Sequence, residues 1–135
     1  METKNFVKKI FGKNSNLIFI LIAMLVAGIS YWTKPYGKMD TETVYILWTS
    51  SAFVTASIFT SISPKKIITH TLLTTAGFEI AIILRAIYDI TFVDPTSHNL
   101  IPFELVIFGL LAFISALGGA FIMHMIKRLI VNSQK

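Results

Sequence analysis

Glu79, Arg85 and Asp89 draw the eye first, because they stand inside an otherwise apolar run between Lys66 and Asp94. Just beyond them, Asp94, His98, Asn99 and Glu104 gather in the eleven-residue run DPTSHNLIPFE (94–104). Carboxylates and an imidazole at this density can bind a cation, pass a proton, or act as acid and base on a substrate. As metal ligands, Asp94, His98 and Glu104 are the right types for a divalent cation, but their spacing matches no diagnostic motif. As catalytic groups they lack any accompanying GxSxG or HExxH pattern.

A third chemistry fits the pattern better. An intramembrane glutamate beneath an acidic mouth attracts cations and exchanges protons. On this reading Glu79 is the proton or cation site, Arg85 tunes its charge, and Asp89, Asp94, His98, Asn99 and Glu104 form an outer polar vestibule. The alternative is a non-transporting membrane protein: a binding or assembly subunit whose outer loop docks a partner, or a lipid-acting enzyme that uses the Asp94, His98 and Glu104 cluster. The plainest version is a structural network that closes the outer end of a bundle, with Tyr88, Phe92 and Phe103 as an aromatic belt.

The helix that must carry these groups sets their geometry. At about 1.5 Å per residue from Lys66, Glu79 lies about 20 Å along the axis, Arg85 about 28 Å and Asp89 about 35 Å. At 100° per residue, Thr71, Thr75, Glu79, Arg85 and Asp89 fall within about 120°, and Leu73, Ile83, Leu84 and Ile87 lie opposite. The polar stripe must therefore face protein or water. Arg85 and Asp89 are one turn apart and can pair. Glu79 and Arg85 are six residues apart and cannot pair well, so Glu79 needs a partner from another helix, water, or a proton.

The rest of the chain explains why such a helix has no aqueous surroundings. Of 135 residues, 54% are hydrophobic and 14% charged, and the mean hydropathy is +0.71, too apolar for a soluble domain of this size. No formal charge occurs in residues 14–33, 43–64 or 105–126, which makes stretches of 20, 22 and 22 residues. A hydrocarbon core of about 30 Å takes about 20 helical residues. The apolar runs are continuous rather than alternating, which excludes a β-barrel in favour of helices.

The expected fold is therefore an all-α integral membrane protein of four transmembrane helices, at about 15–33, 42–62, 66–93 and 100–130. A basic segment, 1–14, precedes this domain (15–130), and a short tail, 131–135, follows it. Lys4, Lys8, Lys9 and Lys13 precede the first span, Lys65 and Lys66 join the second and third, and Lys127, Arg128 and Lys135 follow the fourth. By the positive-inside rule both termini are cytoplasmic, in the inner (plasma) membrane of a cell. The first span reads as a retained helix rather than a cleaved signal, since its apolar run ends in Tyr31 and Trp32 with no clear small-residue cleavage site.

The net charge of +5 sits where topology wants it, so nucleic acid is not an expected partner. The bilayer is, together with a possible second copy of the chain. With no cysteine, thiol chemistry and cysteine-ligated clusters are excluded. No motif specifies a cofactor. His70 and His124 fall at similar depth near the lysine end, where a pair of histidines could hold haem or metal, but no further ligand accompanies them. Thr49, Ser50, Ser57, Thr60 and Ser61 share one face of the second helix, expected to look into the bundle unless the hydroxyls bond back to their own helix. Ala112, Ala116 and Ala120, with Gly119, give the fourth helix a flat side for close packing, expected within the bundle. Ser97 or Asn99 is expected to cap that helix.

Overall fold

Long apolar runs without an internal proline favour backbone groups that bond within their own segment, and the chain forms four helices. The structure is a computed structural model that describes residues 15–33, 41–63, 65–97 and 100–133. Helix α1 spans Ser15–Tyr31, α2 Thr41–Ile62, α3 Ile67–Phe92 and α4 Ile101–Ser133. The expected helices agree with these bounds to within a few residues, and α4 continues past residue 130. The basic segment 1–14 lies outside the described residues.

Three of the helices, over Glu42–Ile62, Ile67–Phe92 and Ile101–Ser133, are long and apolar enough to cross a membrane, whereas α1 has 17 residues. At 1.5 Å per residue α1 reaches about 26 Å, the short end of the spanning range. The outside of the bundle is apolar all round: Leu25, Ile29, Leu72, Ile87, Ile107 and Ile114 are among many large side chains left exposed.

The closest pairs are parallel and not adjacent in sequence: α1 lies along α3, and α2 along α4, with α3 and α4 in antiparallel contact between the pairs. Small residues make each approach possible. A Cβ on Gly77 would meet the Ile20 carbonyl oxygen at 2.6 Å, so α1 and α3 cross at that glycine. A Cβ on Gly119 would meet the Phe53 carbonyl oxygen at 2.1 Å, where α2 and α4 cross. The alanine stripe of α4 is used there, with Ala116 and Ala120 buried against Ala56.

The space between the helices is filled by rings. Trp48 packs edge-on against Phe78 at 4.7 Å, Phe108 at 5.3 Å and Tyr31 at 5.6 Å. Its indole N–H donates to the Phe108 carbonyl at 3.0 Å, which satisfies the one polar atom such a ring brings into a core. Nearer Lys65, Phe19 packs against Phe59 at 4.4 Å with the rings tilted by 43°.

Two expectations need correction. The hydroxyl face of α2 does not all look inward: Thr60 is buried, Thr49 and Ser57 are half-buried, and Ser50 and Ser61 are exposed, while the rest of the buried face is Val44, Trp48, Ala52, Thr55, Ala56 and Phe59. Thr49, Ser57, Thr60 and Ser61 donate to carbonyls one turn back on their own helix, so their positions report little about where water is. On α3 the polar stripe does face protein, but Leu73, assigned to the opposite side, is buried as well.

Candidate functional site

At the Asp94 end, Arg85 is the hub. Its Nε donates to Asp89 Oδ2 at 2.6 Å, one turn along α3, as the spacing of the two residues predicts. Its Nη1 donates to the Trp32 carbonyl at 2.7 Å and the Tyr31 carbonyl at 3.4 Å. Those carbonyls lie at the end of α1, where the helix dipole is negative, so a guanidinium there caps and neutralises together. Trp32 answers by donating its indole N–H to the Ala81 carbonyl of α3 at 2.9 Å. The Tyr31 hydroxyl reaches Glu104 Oε2 of α4 at 3.5 Å, a weak bond at the limit of the range. Asp89 is 2% exposed. The polar groups thus tie α1, α3 and α4 together.

The loop that follows holds its charge in a different way. Asp89's carbonyl accepts the amides of Val93 and Asp94, closing α3, and Pro95 prevents another turn. Asp94 Oδ1 accepts the Thr96 amide at 2.9 Å and the Thr96 hydroxyl at 2.8 Å, and these bonds hold its carboxyl below the usual aspartate range. Ser97 donates its hydroxyl to the Asp94 carbonyl at 2.7 Å, within the loop, and the other expected cap, Asn99, lies outside the described residues. His98 and Asn99 lie outside the described residues. Among the described residues no group of three His, Asp or Glu side chains could hold a metal ion.

Glu79 stands apart from both networks. It sits half-buried in the middle of α3, and a Cβ on Gly109 would lie 2.1 Å from its Oε1. The carboxyl therefore occupies a notch that only a glycine on α4 leaves open. Arg85 is turned toward α1, and among the described residues Glu79 has neither an ion pair nor a hydrogen bond. The sequence placed Glu79 on the inward stripe, but could not supply Gly109 as its neighbour, since a glycine in an apolar helix reads first as a packing residue.

The chain was compared with protein-family models, curated proteins and solved structures. None matches.

The Lys65 end contains groups that sequence reasoning read only as topological markers. Lys127 Nζ donates to the Thr60 and Ser61 carbonyls at 2.9 and 3.1 Å, closing α2 as Arg85 closes α1. Lys65 Nζ donates to Ser15 Oγ at 2.6 Å and to Asn16 Oδ1, and stands 5.1 Å from the Phe19 ring centroid. His70, one layer in, is fully buried edge-on to Phe19 at 5.7 Å, and among the described residues neither ring nitrogen has a hydrogen-bond partner; nor does the Thr74 hydroxyl one turn further on.

Proposed function

We propose that this chain is an integral membrane protein that crosses the bilayer four times, with both termini in the cytoplasm, and that Glu79 binds and releases a proton or small cation at the α3–α4 interface. The continuous apolar exterior supports the membrane placement, since such a surface is costly in water. Lys65, Lys66, Lys127 and Arg128 mark one end and Glu42, Asp89, Asp94 and Glu104 the other, the distribution expected of an inner (plasma) membrane protein with the basic end inside.

The observation that carries the functional reading is Glu79 in the Gly109 notch, without a partner among the described residues. A charge at the bilayer centre costs about 3 kcal/mol even on insertion-based scales. A carboxyl kept there without a countercharge is a group that works by taking up a proton or cation. With Trp48, Phe78 and Phe108 filling the centre, a path through one copy is blocked, so exchange proceeds along the α3–α4 face, between copies in a homo-oligomer.

Reconstitution in liposomes tests this. The wild-type protein is expected to conduct protons or a monovalent cation, and Glu79→Gln to lose most of that flux while folding normally. A hydrophobic carbodiimide, which reacts with a protonated carboxyl in an apolar setting, should label Glu79. Equal flux in the two proteins sinks the proposal.

One observation favours a second reading, a non-transporting assembly or binding subunit. Arg85, Asp89, Tyr31, Glu104 and the last carbonyls of α1 are bonded to one another, which is what a network that only closes the bundle would do. Under that reading wild-type liposomes show no flux. The enzymatic alternative draws no support from Asp94 and Glu104, which are engaged separately with Thr96 and Tyr31.

A further inference from the structure

The last turn of α2, the α2–α3 turn and the last turns of α4 enclose a cleft of about 370 Å³, lined by Ser63, Lys65, His124, Lys127, Arg128 and Asn132 among others. That volume lies within the range of small-molecule sites, about 300–1,000 Å³. Its walls come from three separate parts of the chain, so the cationic groups are brought together by the fold and not by a run of basic sequence.

We propose that this cleft binds a phosphate group, carried either by an anionic phospholipid headgroup or by free inorganic phosphate. Three cationic side chains, Lys65, Lys127 and Arg128, converge on one cleft with a histidine, a hydroxyl and a carboxamide between them. Among the described residues none of the three is paired with a carboxylate, and Glu42, Asp89, Asp94 and Glu104 all stand toward the opposite end. Lys65 and Lys127 have their hydrogen bonds partly met by neutral oxygens, which orients the ammonium groups without cancelling their charge. Like charges held this close repel, and an anion placed among them removes the repulsion and gains charge-assisted hydrogen bonds.

The donor set suits phosphate in particular. Arg128 offers a planar pair of N–H groups and the two lysines point charges, the combination that recognises phosphoryl oxygens. Ser63 and Asn132 add neutral donors for the remaining oxygens. The lipid source depends on the membrane reading above, since a headgroup reaches the cleft only if this end lies at a bilayer surface. The free-phosphate source does not, so loss of Glu79-dependent flux and loss of phosphate binding are separable results.

The full chain in neutral detergent is titrated calorimetrically with inorganic phosphate, and separately with short-chain phosphatidylglycerol, phosphatidylcholine serving as the headgroup without net charge. Saturable binding of at least one anionic probe is expected. Arg128→Gln should weaken it about fivefold, the order for one basic side chain beside an anionic headgroup. Arg128 is exposed and so can be replaced without unfolding the bundle. Lys66→Gln removes the same charge from an exposed residue that does not line the cleft and should change binding by less than about twofold, as an exposed charge screened by salt and without direct contact does. Binding of phosphatidylglycerol alone identifies the headgroup as the ligand, and binding of both probes identifies the phosphate group itself. Absence of saturable binding, or equal weakening by Arg128→Gln and Lys66→Gln, overturns the proposal.

Discussion

The two ends of this bundle solve the same problem with opposite results. Each has a long cationic side chain that closes a helix by donating to its last carbonyls: Arg85 on α1 at one end, Lys127 on α2 at the other. At the Asp94 end the cation is also ion-paired, to a buried carboxylate on its own helix. At the Lys65 end, among the described residues, Lys65 and Lys127 meet neutral oxygens and an aromatic ring but no carboxylate. Satisfying hydrogen bonds and neutralising charge are separate requirements, and the difference shows it. An end that meets both has become structure. At the other, the lysine charges have no carboxylate partner among the described residues, and the buried His70 ring and Thr74 hydroxyl have no hydrogen-bond partner among them either.

The largest expected effect breaks this contrast directly. Asp89→Ala removes the buried carboxylate that Arg85 pairs with on its own helix, and removing one member of a buried pair costs about 3–5 kcal/mol. Lys127→Met removes two hydrogen bonds to carbonyls, a cost of about 1–2 kcal/mol, and relieves repulsion in the basic cleft. Thermal unfolding in detergent should therefore place Asp89→Ala far below Lys127→Met. If the two variants unfold together, the ends are energetically equivalent and the distinction fails.

Midway between the ends, two glycines sharpen the comparison between what is fixed and what is free to move. Alanine at Gly119 would press on the backbone of Phe53, which cannot swing aside, so about 2 kcal/mol of stability should be lost through overpacking. Alanine at Gly109 would press only on the tip of the Glu79 side chain. A carboxyl at the end of a flexible chain can rotate away, so Gly109→Ala should cost less than about 1 kcal/mol, yet disturb whatever Glu79 binds. Liposome flux and unfolding measured on both variants separate these outcomes; a larger stability loss at Gly109 would show that Glu79 is held rigidly.

What the sequence revealed, and what it concealed, follow from one property of apolar bundles. The charge-free stretches bound α1 and α2 closely, because charged side chains mark where an apolar run ends. The inward stripe of α3 and the Arg85–Asp89 pair were legible, because polar side chains avoid lipid and a one-turn spacing is local. The order of the helices around the bundle was not, since outward-facing and core-facing positions are equally apolar; Leu73 and Ile83 look alike in sequence, yet one is buried and the other exposed. For the same reason Gly109 could not be matched to Glu79, nor Lys127 to the end of α2. Serine and threonine gave the least reliable guidance, because hydroxyls that bond to their own helix need no partner and no water.

The smallest effect concerns the exposed loop beyond α3, where Asp94 has its charge favoured by local bonds alone. The Thr96 amide contributes most and the Thr96 hydroxyl less, so Asp94 titrates below an ordinary aspartate. A carboxyl depressed on folding adds stability at pH values above its unfolded range, and that contribution disappears as the pH falls through the lower native value. Thr96→Val removes only the hydroxyl, so the Asp94 titration followed by carbon NMR should move part of the way back toward the usual range. Helix α3 should keep its end, because the two amides on the Asp89 carbonyl are untouched. An Asp94 titration that does not move would mean the loop is held by something other than these bonds. A movement accompanied by fraying of α3 would mean the loop and the Arg85–Asp89 lock form a single unit, extending the neutralised end of the bundle out to Thr96.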